Sequence, residues 1–420
     1  MRVLAAIAAI IAAGGAASAG AEGPAIVLAP DRVFDGERVH EGWRVHIEGG
    51  RIAAAGPSVE EAGAERIDLA GMTLTPGLID AHSHVLLHPY DETSWNDQVL
   101  KESVAERSVR AANHLRDTLM AGFTTLRDLG TEGAGYADVG LREALEKGVI
   151  AGPRLIVVGP AIVAAGSYGP KGFREGVDPP QGAEEASGVD GAKEAARHQI
   201  AGGADWVKVY ADYRWGPEGE ARPTFSVEEL KAIVEIASSS GRAVAAHAAT
   251  DEGMRRAIEA GVETIEHGDG ASLETFRKMA KAGVALCPTL GASEATSRYA
   301  GWDGSAETAP GGVKRKHEEI ARARKAGVTI CNGSDVGVFD HGDNAWELEL
   351  LTQYGLTPIE ALRTATSVNA RILHLEDEIG AIAPGMIADL TAFEGDPSTD
   401  ISALRKPRFV MQAGKVIRRP

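Results

Sequence analysis

Seven times between residues 122 and 335 an amphipathic stretch ends at a glycine, and a short apolar run rich in Val, Ile or Thr begins at once. Glycine reaches the left-handed backbone that stops a helix, so each handover reads as helix, then strand. Gly122 precedes FTTLRDLG, Gly152 precedes PRLIVVGPAI, Gly203 precedes ADWVKVYA, Gly241 precedes RAVAAHA, Gly261 precedes VETIEHGD, Gly283 precedes VALCPTL and Gly327 precedes VTICNGSD. With LTPGLIDAHSH at 74–84 ahead of the first helix, eight strands alternate with helices. That predicts a closed (β/α)8 TIM barrel over 74–378. A doubly wound open sheet is the competing architecture, but no Gly-rich phosphate turn follows its first strand.

Start signals support the helices. Ser226 and Glu229 form a capping box ahead of Leu230, Ile233 and Val234. The segment 103–121 places Val104, Ser108, Ala112, Leu115 and Leu119 on one stripe. Outside the barrel, 24–73 and 379–420 alternate in short runs such as WRVHIEGGRIAAAG and RFVMQAGKVIR, with Gly49-Gly50 as a hairpin turn. Neither flank makes a stable sheet alone, so the two chain ends are expected to pair into one small composite β-sandwich. The Gly- and Pro-rich stretch from Tyr168 to Gly191 reads as a long loop leaving the third strand, placed to act as a lid.

At the other extreme, Arg2 and an apolar run from Val3 to Ala13 lead into Ala17-Ser18-Ala19. The run is too short to span a bilayer and fits a signal peptide over 1–19, so the chain is expected to be exported to a periplasm or the medium and to have no membrane segment after cleavage. With 60 acidic against 43 basic side chains and a net charge of −17, nucleic acid is not an expected partner. Two cysteines, Cys287 and Cys331, make no disulfide framework or Cys-based metal spacing; they read as small buried hydrophobes on neighbouring strands, with a mutual disulfide left open.

In a barrel of this kind the site forms where the strands end. His82 and His84 end the first run, Lys208 lies late in the fourth, His247 ends the fifth, His267 the sixth and Asp335 the eighth. Taken singly, an HxH is weak and an Asp after a strand is usually a helix cap. Jointly, five strand ends deliver ligand types to one rim, and i, i+2 geometry lets His82 and His84 grip one ion. A lysine inside Trp206-Val207-Lys208-Val209 has to be neutral, paired or modified, because an unpaired buried ammonium costs several kcal/mol.

PGLIDAHSH (76–84), strand-borne Lys208, His247, EHGD (266–269), GSDVG (333–337) and GAIAPGMIADL (380–390) together resemble the amidohydrolase superfamily of metal-dependent hydrolases, in order and spacing, over nearly the whole mature chain. The resemblance implies two divalent ions, zinc by family habit: His82 and His84 on one, His247 and His267 on the other, a carboxylated Lys208 bridging both, and Asp335 completing the first site and moving the proton. A metal-bridging hydroxide would then attack the carbonyl carbon of an amide, and the C–N bond would break as the nitrogen leaves with the proton that Asp335 returns. GFTTLRDLG (122–130), GPRLIVVGPAI (152–162) and HGDNAWEL (341–348) are most similar to the prolidase-like branch, which implies a dipeptide or N-acyl amino acid as substrate. That branch usually has a histidine where this chain has Ser167-Tyr168, and often Gly-Gly where this chain has Asp212-Tyr213-Arg214.

Tyr168, Tyr210, Tyr213, Arg214 and His341 are the candidate substrate contacts, since Arg and Tyr donors suit a terminal carboxylate. His40, His46, His198, His317 and His374 read as structural or exposed, and His88 and His114 are left unassigned. Two other reactions share the metal chemistry: hydrolysis of a cyclic amide of the imidazolone type, and deamination, which the Ala248-Ala249-Thr250 that follows His247 disfavours. A non-catalytic metal-binding barrel is the alternative outside enzymes, and open coordination positions at a barrel mouth argue against it. The reading leaves room for a homo-oligomer.

Overall fold

A computed structural model describes residues 25–420. The expected export signal at 1–19 lies outside the described residues, and among them no helix is long and apolar enough to cross a membrane.

The eight runs do close into a ring of parallel strands. Leu78–Ser83 pairs with Phe123–Asp128, which pairs with Arg154–Ile156. Further round, Ile162–Ala164 meets Val207–Tyr210, followed by Val244–Ala248, Thr264–His267 and Ala285–Cys287. The third run is thus one strand broken in two at 157–161, where Gly159 takes a left-handed turn and Pro160 offers no donor. Six of the seven handover glycines have positive φ. The seventh, Gly152, is required by space instead, since a Cβ there would sit 2.7 Å from that of Leu115.

The eighth run departs from the expectation of a regular strand. It joins its neighbours by single bridges, Leu286 with Ile330 and Ser83 with Val336. The ring is nonetheless sealed: Ala81 N donates to Asn332 O (3.0 Å), Asp335 N to His82 O (2.7 Å) and His84 N to Val336 O (2.9 Å). Asp335 itself has a left-handed backbone (φ 63°), which breaks the ladder and turns its carboxylate out of strand register.

The chain ends form one hydrogen-bonded sheet of eight strands, in which Glu65–Pro76 lies between Ile26–Phe34 and Leu390–Glu394. The two chain ends thus build the expected composite β-domain, its strands linked in one hydrogen-bonded sheet that folds around a shared core of Leu28, Val45, Ile67, Leu390 and Phe409. Gly77 alone separates this sheet from the first barrel strand. A Cβ there would overlap the Thr124 side chain at 2.0 Å, so only glycine allows the crossing.

Two local expectations are corrected. In the helix Val104–Met120 the buried stripe is Arg107, Ala111, Leu115, Thr118 and Leu119, and Val104 is exposed. Arg107 goes inward because its guanidinium donates to the carbonyls of Leu86, Thr131 and Glu132, replacing water completely enough to offset burial. The stretch 168–191 is not one loop: Glu184–Ala186 adds a strand beside Ile162–Ala164, and a helix begins at Gly188. Cys287 and Cys331, with Cα atoms 4.9 Å apart, form a buried disulfide joining the seventh and eighth runs. The helix Val227–Ser239 does carry the Ser226/Glu229 capping box.

Candidate metal centre and active site

Strand ends bring His82, His84, Lys208, His247, His267 and Asp335 to one barrel mouth. The ligand atoms of His82, His84 and Asp335 lie within 4.8 Å of one another. Nε2 of His82 and of His84 are 3.5 and 3.4 Å from the same oxygen, Asp335 Oδ1. The rings of His247 and His267 are 4.5 Å apart, and that of His267 is 5.3 Å from His82.

Three of the four histidines have one ring nitrogen hydrogen-bonded to the protein. His82 Nδ1 donates to Glu266 Oε2 (2.8 Å), and His84 Nδ1 donates to Gly130 O (2.9 Å). Thr289 spends its hydroxyl proton on Pro288 O, so His267 Nδ1 donates to Thr289 Oγ1 (2.7 Å). For His247 the order reverses: Nε2 is 3.8 Å from Asp212 Oδ1, and Nδ1 is buried without a partner. His82, His84 and His267 are thereby oriented with the other ring nitrogen free to face an ion, the arrangement that orients metal-binding imidazoles.

Lys208 completes the set. Its Nζ is fully buried and has no hydrogen-bond partner among the described residues. Burial pulls the amine down to about 8, against the pull of Glu266 and Asp335. A neutral amine is therefore accessible, which is the form that carbon dioxide carboxylates. Burial, then the Lys208 charge, holds His82 and His247 well below the ordinary imidazole range, and burial raises Asp335 to about 6. Unprotonated imidazoles, a carboxylate and a modifiable amine are a donor set that fits divalent ions.

Several residues that the sequence reading passed over hold this set. Glu266 is gripped by Arg127 (3.0 Å) and Thr264 (2.5 Å), and Arg127 also donates to Ala81 O and stacks on Trp206. Asp80 accepts from the backbone N–H groups of His82 and Ser334 and from Asn344, tying the first strand to the loop that carries Asp335. Lys316 binds the carbonyls of His267 and Pro288 and pairs with Asp269. Asp80, Arg127, Glu266 and Asp269 lie within the motifs quoted above, but their roles are not readable there, since they exist only once strands far apart in the chain are adjacent.

In front of the donors lies a cavity of about 350 Å³ whose walls include Tyr90, Glu132, Tyr168, Tyr210, Tyr213 and Arg214. Tyr168, Tyr210, Tyr213 and Arg214 thus face the site, as expected. His341 does not line it. Its Nε2 donates to Leu87 O and its ring stacks on His114 at 4.1 Å, because the turn after Asp335 carries it behind the mouth. His88 is engaged by Glu92 and Glu102.

A barrel with this rim belongs to the barrel hydrolases as a class. More narrowly, the chain belongs to the amidohydrolase family, whose profile matches residues 73–417. It is 30% identical to ochratoxinase of Aspergillus niger over 384 residues, covering 83% of this chain and 76% of that protein. A crystal structure of a Xaa-Pro dipeptidase with bound methionine superposes with a TM-score of 0.83 at 29% identity, over 94% of this chain and all of the other. A prolidase complexed with N-methylphosphonate-L-proline gives 0.82 at 30%, with the same coverage.

Proposed function

We propose that this amidohydrolase is a binuclear metal-dependent enzyme that cleaves the C–N amide bond of a dipeptide or N-acyl amino acid. The observation that carries the reading is Lys208 Nζ, buried and unpartnered at the same barrel mouth, with its charge felt by His82 and Asp335 of the triad that includes His84 and by both His247 and His267. A carboxylated Lys208 would bridge the two groups of ligands. When bound, two divalent ions, zinc by the N/O donor set, supply an acidified water nucleophile and polarise the scissile carbonyl. Asp335 accepts a proton at its carboxylate and returns it to the leaving nitrogen. Arg214 at the rim holds the substrate carboxylate, and the Tyr168–Tyr210 wall keeps water away from the reacting bond. The likeness to a Xaa-Pro dipeptidase and a prolidase at about 30% identity supports the substrate class. Export is part of the same proposal, supported by the Cys287–Cys331 disulfide, since disulfides persist in oxidising compartments.

The test is elemental analysis of the purified enzyme with a substrate panel. Two metals per chain and turnover of dipeptides or N-acyl amino acids are expected. One metal or none after zinc supplementation, or turnover confined to hydantoins, lactones and aminopurines, overturns the reading.

A further inference from the structure

Two carboxylates line the cavity without a part in the metal chemistry: Asp269, which is paired with Lys316, and Glu132, which has no such partner among the described residues. Glu132 follows the second barrel strand, has a left-handed backbone (φ 48°) and is only 3% exposed. Its Oε2 accepts from Tyr168 Oη (2.5 Å) and from Trp95 Nε1 (2.9 Å), both neutral donors. Among the described residues Oε1 accepts nothing and the carboxylate makes no salt bridge. Arg107 approaches from behind, yet its Nε, Nη1 and Nη2 are committed to the carbonyls of Leu86, Glu132 and Thr131. A buried carboxylate without a cation is expensive, and this one lines a cavity open to substrate.

The surroundings indicate which cation would fit. Tyr168, Tyr210 and Tyr213 pack ring against ring, with centroids 5.0, 4.7 and 5.8 Å apart, and all three line the same cavity. Electron-rich faces beside a carboxylate suit an organic ammonium better than a hydrated metal ion. The location narrows it further: a methyl group added at Gly130 would lie 3.2 Å from Glu132 Oε1 and 3.6 Å from His84 Cε1, so the carboxylate is a near neighbour of the metal triad. An α-ammonium group is two bonds from the scissile carbonyl carbon. A lysine or arginine side-chain cation is much further from it.

We infer that Glu132, with Tyr168, Tyr210 and Tyr213, is the subsite for the protonated α-amino group of the substrate, so that the enzyme selects dipeptides with a free amino terminus over N-acyl amino acids. This rests on the amide-hydrolase reading above and decides between its two substrate classes. Glu132 is a specificity residue on this view, and Arg214 at the rim takes the other end of a zwitterion.

The experiment compares free dipeptides with the same dipeptides N-acetylated, on the metal-loaded wild type and on Glu132→Gln. The wild type should favour the free amine by more than about tenfold in kcat/KM, and Glu132→Gln should lose about 10- to 100-fold on the free dipeptide alone, the range of a charge-assisted hydrogen bond. Metal content should stay at two. Equal wild-type rates on both substrates, or an equal loss on both in the variant, would overturn the inference; the second result, or loss of metal, means that Glu132 only offsets the charge of the ions. Calorimetric binding of leucine amide against N-acetyl-leucine amide reads the subsite without turnover. If the protein hydrolyses neither dipeptide form yet binds the free amine through Glu132, the proposed reaction fails and the subsite stands. Should Glu132→Gln not fold, Glu132→Asp replaces it, expected to keep part of the preference; an undiminished preference there counts against the inference.

Discussion

The composite sheet and the barrel mouth handle backbone and polar groups in opposite ways. In the sheet the strands run in long ladders broken only by local register shifts, buried Thr73, Thr75 and Thr391 have their hydroxyls bonded to carbonyls while His46 Nε2 alone of the sheet's buried side-chain atoms among the described residues has no partner, and left-handed non-glycine backbone is confined to Ala413 in a hairpin. At the mouth Glu132, His267, Thr289 and Asp335 all have left-handed backbone, and Lys208 Nζ and His247 Nδ1 are buried without partners. Such conformations cost on the order of 1–3 kcal/mol each and persist where the surroundings overdetermine them. The contrast teaches that stability is built in one region and drawn down in the other, where ligands are to complete what the protein leaves open.

The strongest way to break that contrast is Lys208→Met, which keeps the apolar stem and removes the amine. Metal content should fall below two per chain and turnover by more than about 10³-fold with an unchanged circular dichroism spectrum, since neither ligand group then has its bridge. Two metals and a wild-type rate would mean that Lys208 is merely a wall residue. Asp335→Asn comes next: about 10²- to 10⁴-fold slower turnover in steady-state kinetics of any substrate found, the usual span for a lost general base. Unchanged turnover would discard the proton-transfer role.

The sheet side is probed by Phe409→Ala, which empties a fully buried position. Chemical denaturation should show a loss of about 3–5 kcal/mol, with kcat per folded molecule within about twofold. The smallest effect sharpens the comparison through pH. Burial lifts Glu347, which accepts from the N–H groups of Leu290 and Gly291, to about 8. The folded state therefore holds a proton that the unfolded chain, near 4.5, has released, so this group's contribution declines as pH rises from about 5 to about 8. Glu347→Gln stays neutral throughout. Its melting temperature relative to wild type should accordingly gain a few degrees between pH 5 and pH 8, roughly what a few kcal/mol does in a chain this long.

The candidate ligand residues were legible because each interrupts or ends an apolar run, where a histidine, lysine or aspartate is costly without a purpose. Lys208 is the clearest instance. Glu132 was not legible: it looks like any polar loop residue until the fold brings Tyr168 and Trp95 against it. The stripe of Val104, Ser108 and Ala112 left out Arg107, which goes inward because three carbonyls wait for it there. His341 was drawn into the site by its closeness to Asp335 in sequence, and the intervening turn takes it to His114. The eighth strand was overread because VTIC has strand character while the four residues after it serve the carboxylate at their end.

The left-handed backbone at His267, Thr289 and Asp335 also bears on how this molecule can be altered. Glycine adopts that conformation freely, whereas a β-branched threonine adopts it least willingly. A laboratory selection for heat resistance alone would therefore find relief at the very positions that hold the chemistry, and Asp335→Gly or His267→Gly could emerge from it as gains. Any screen that hardens this scaffold has to score hydrolysis in the same step, or the survivors will be durable barrels with nothing at the rim.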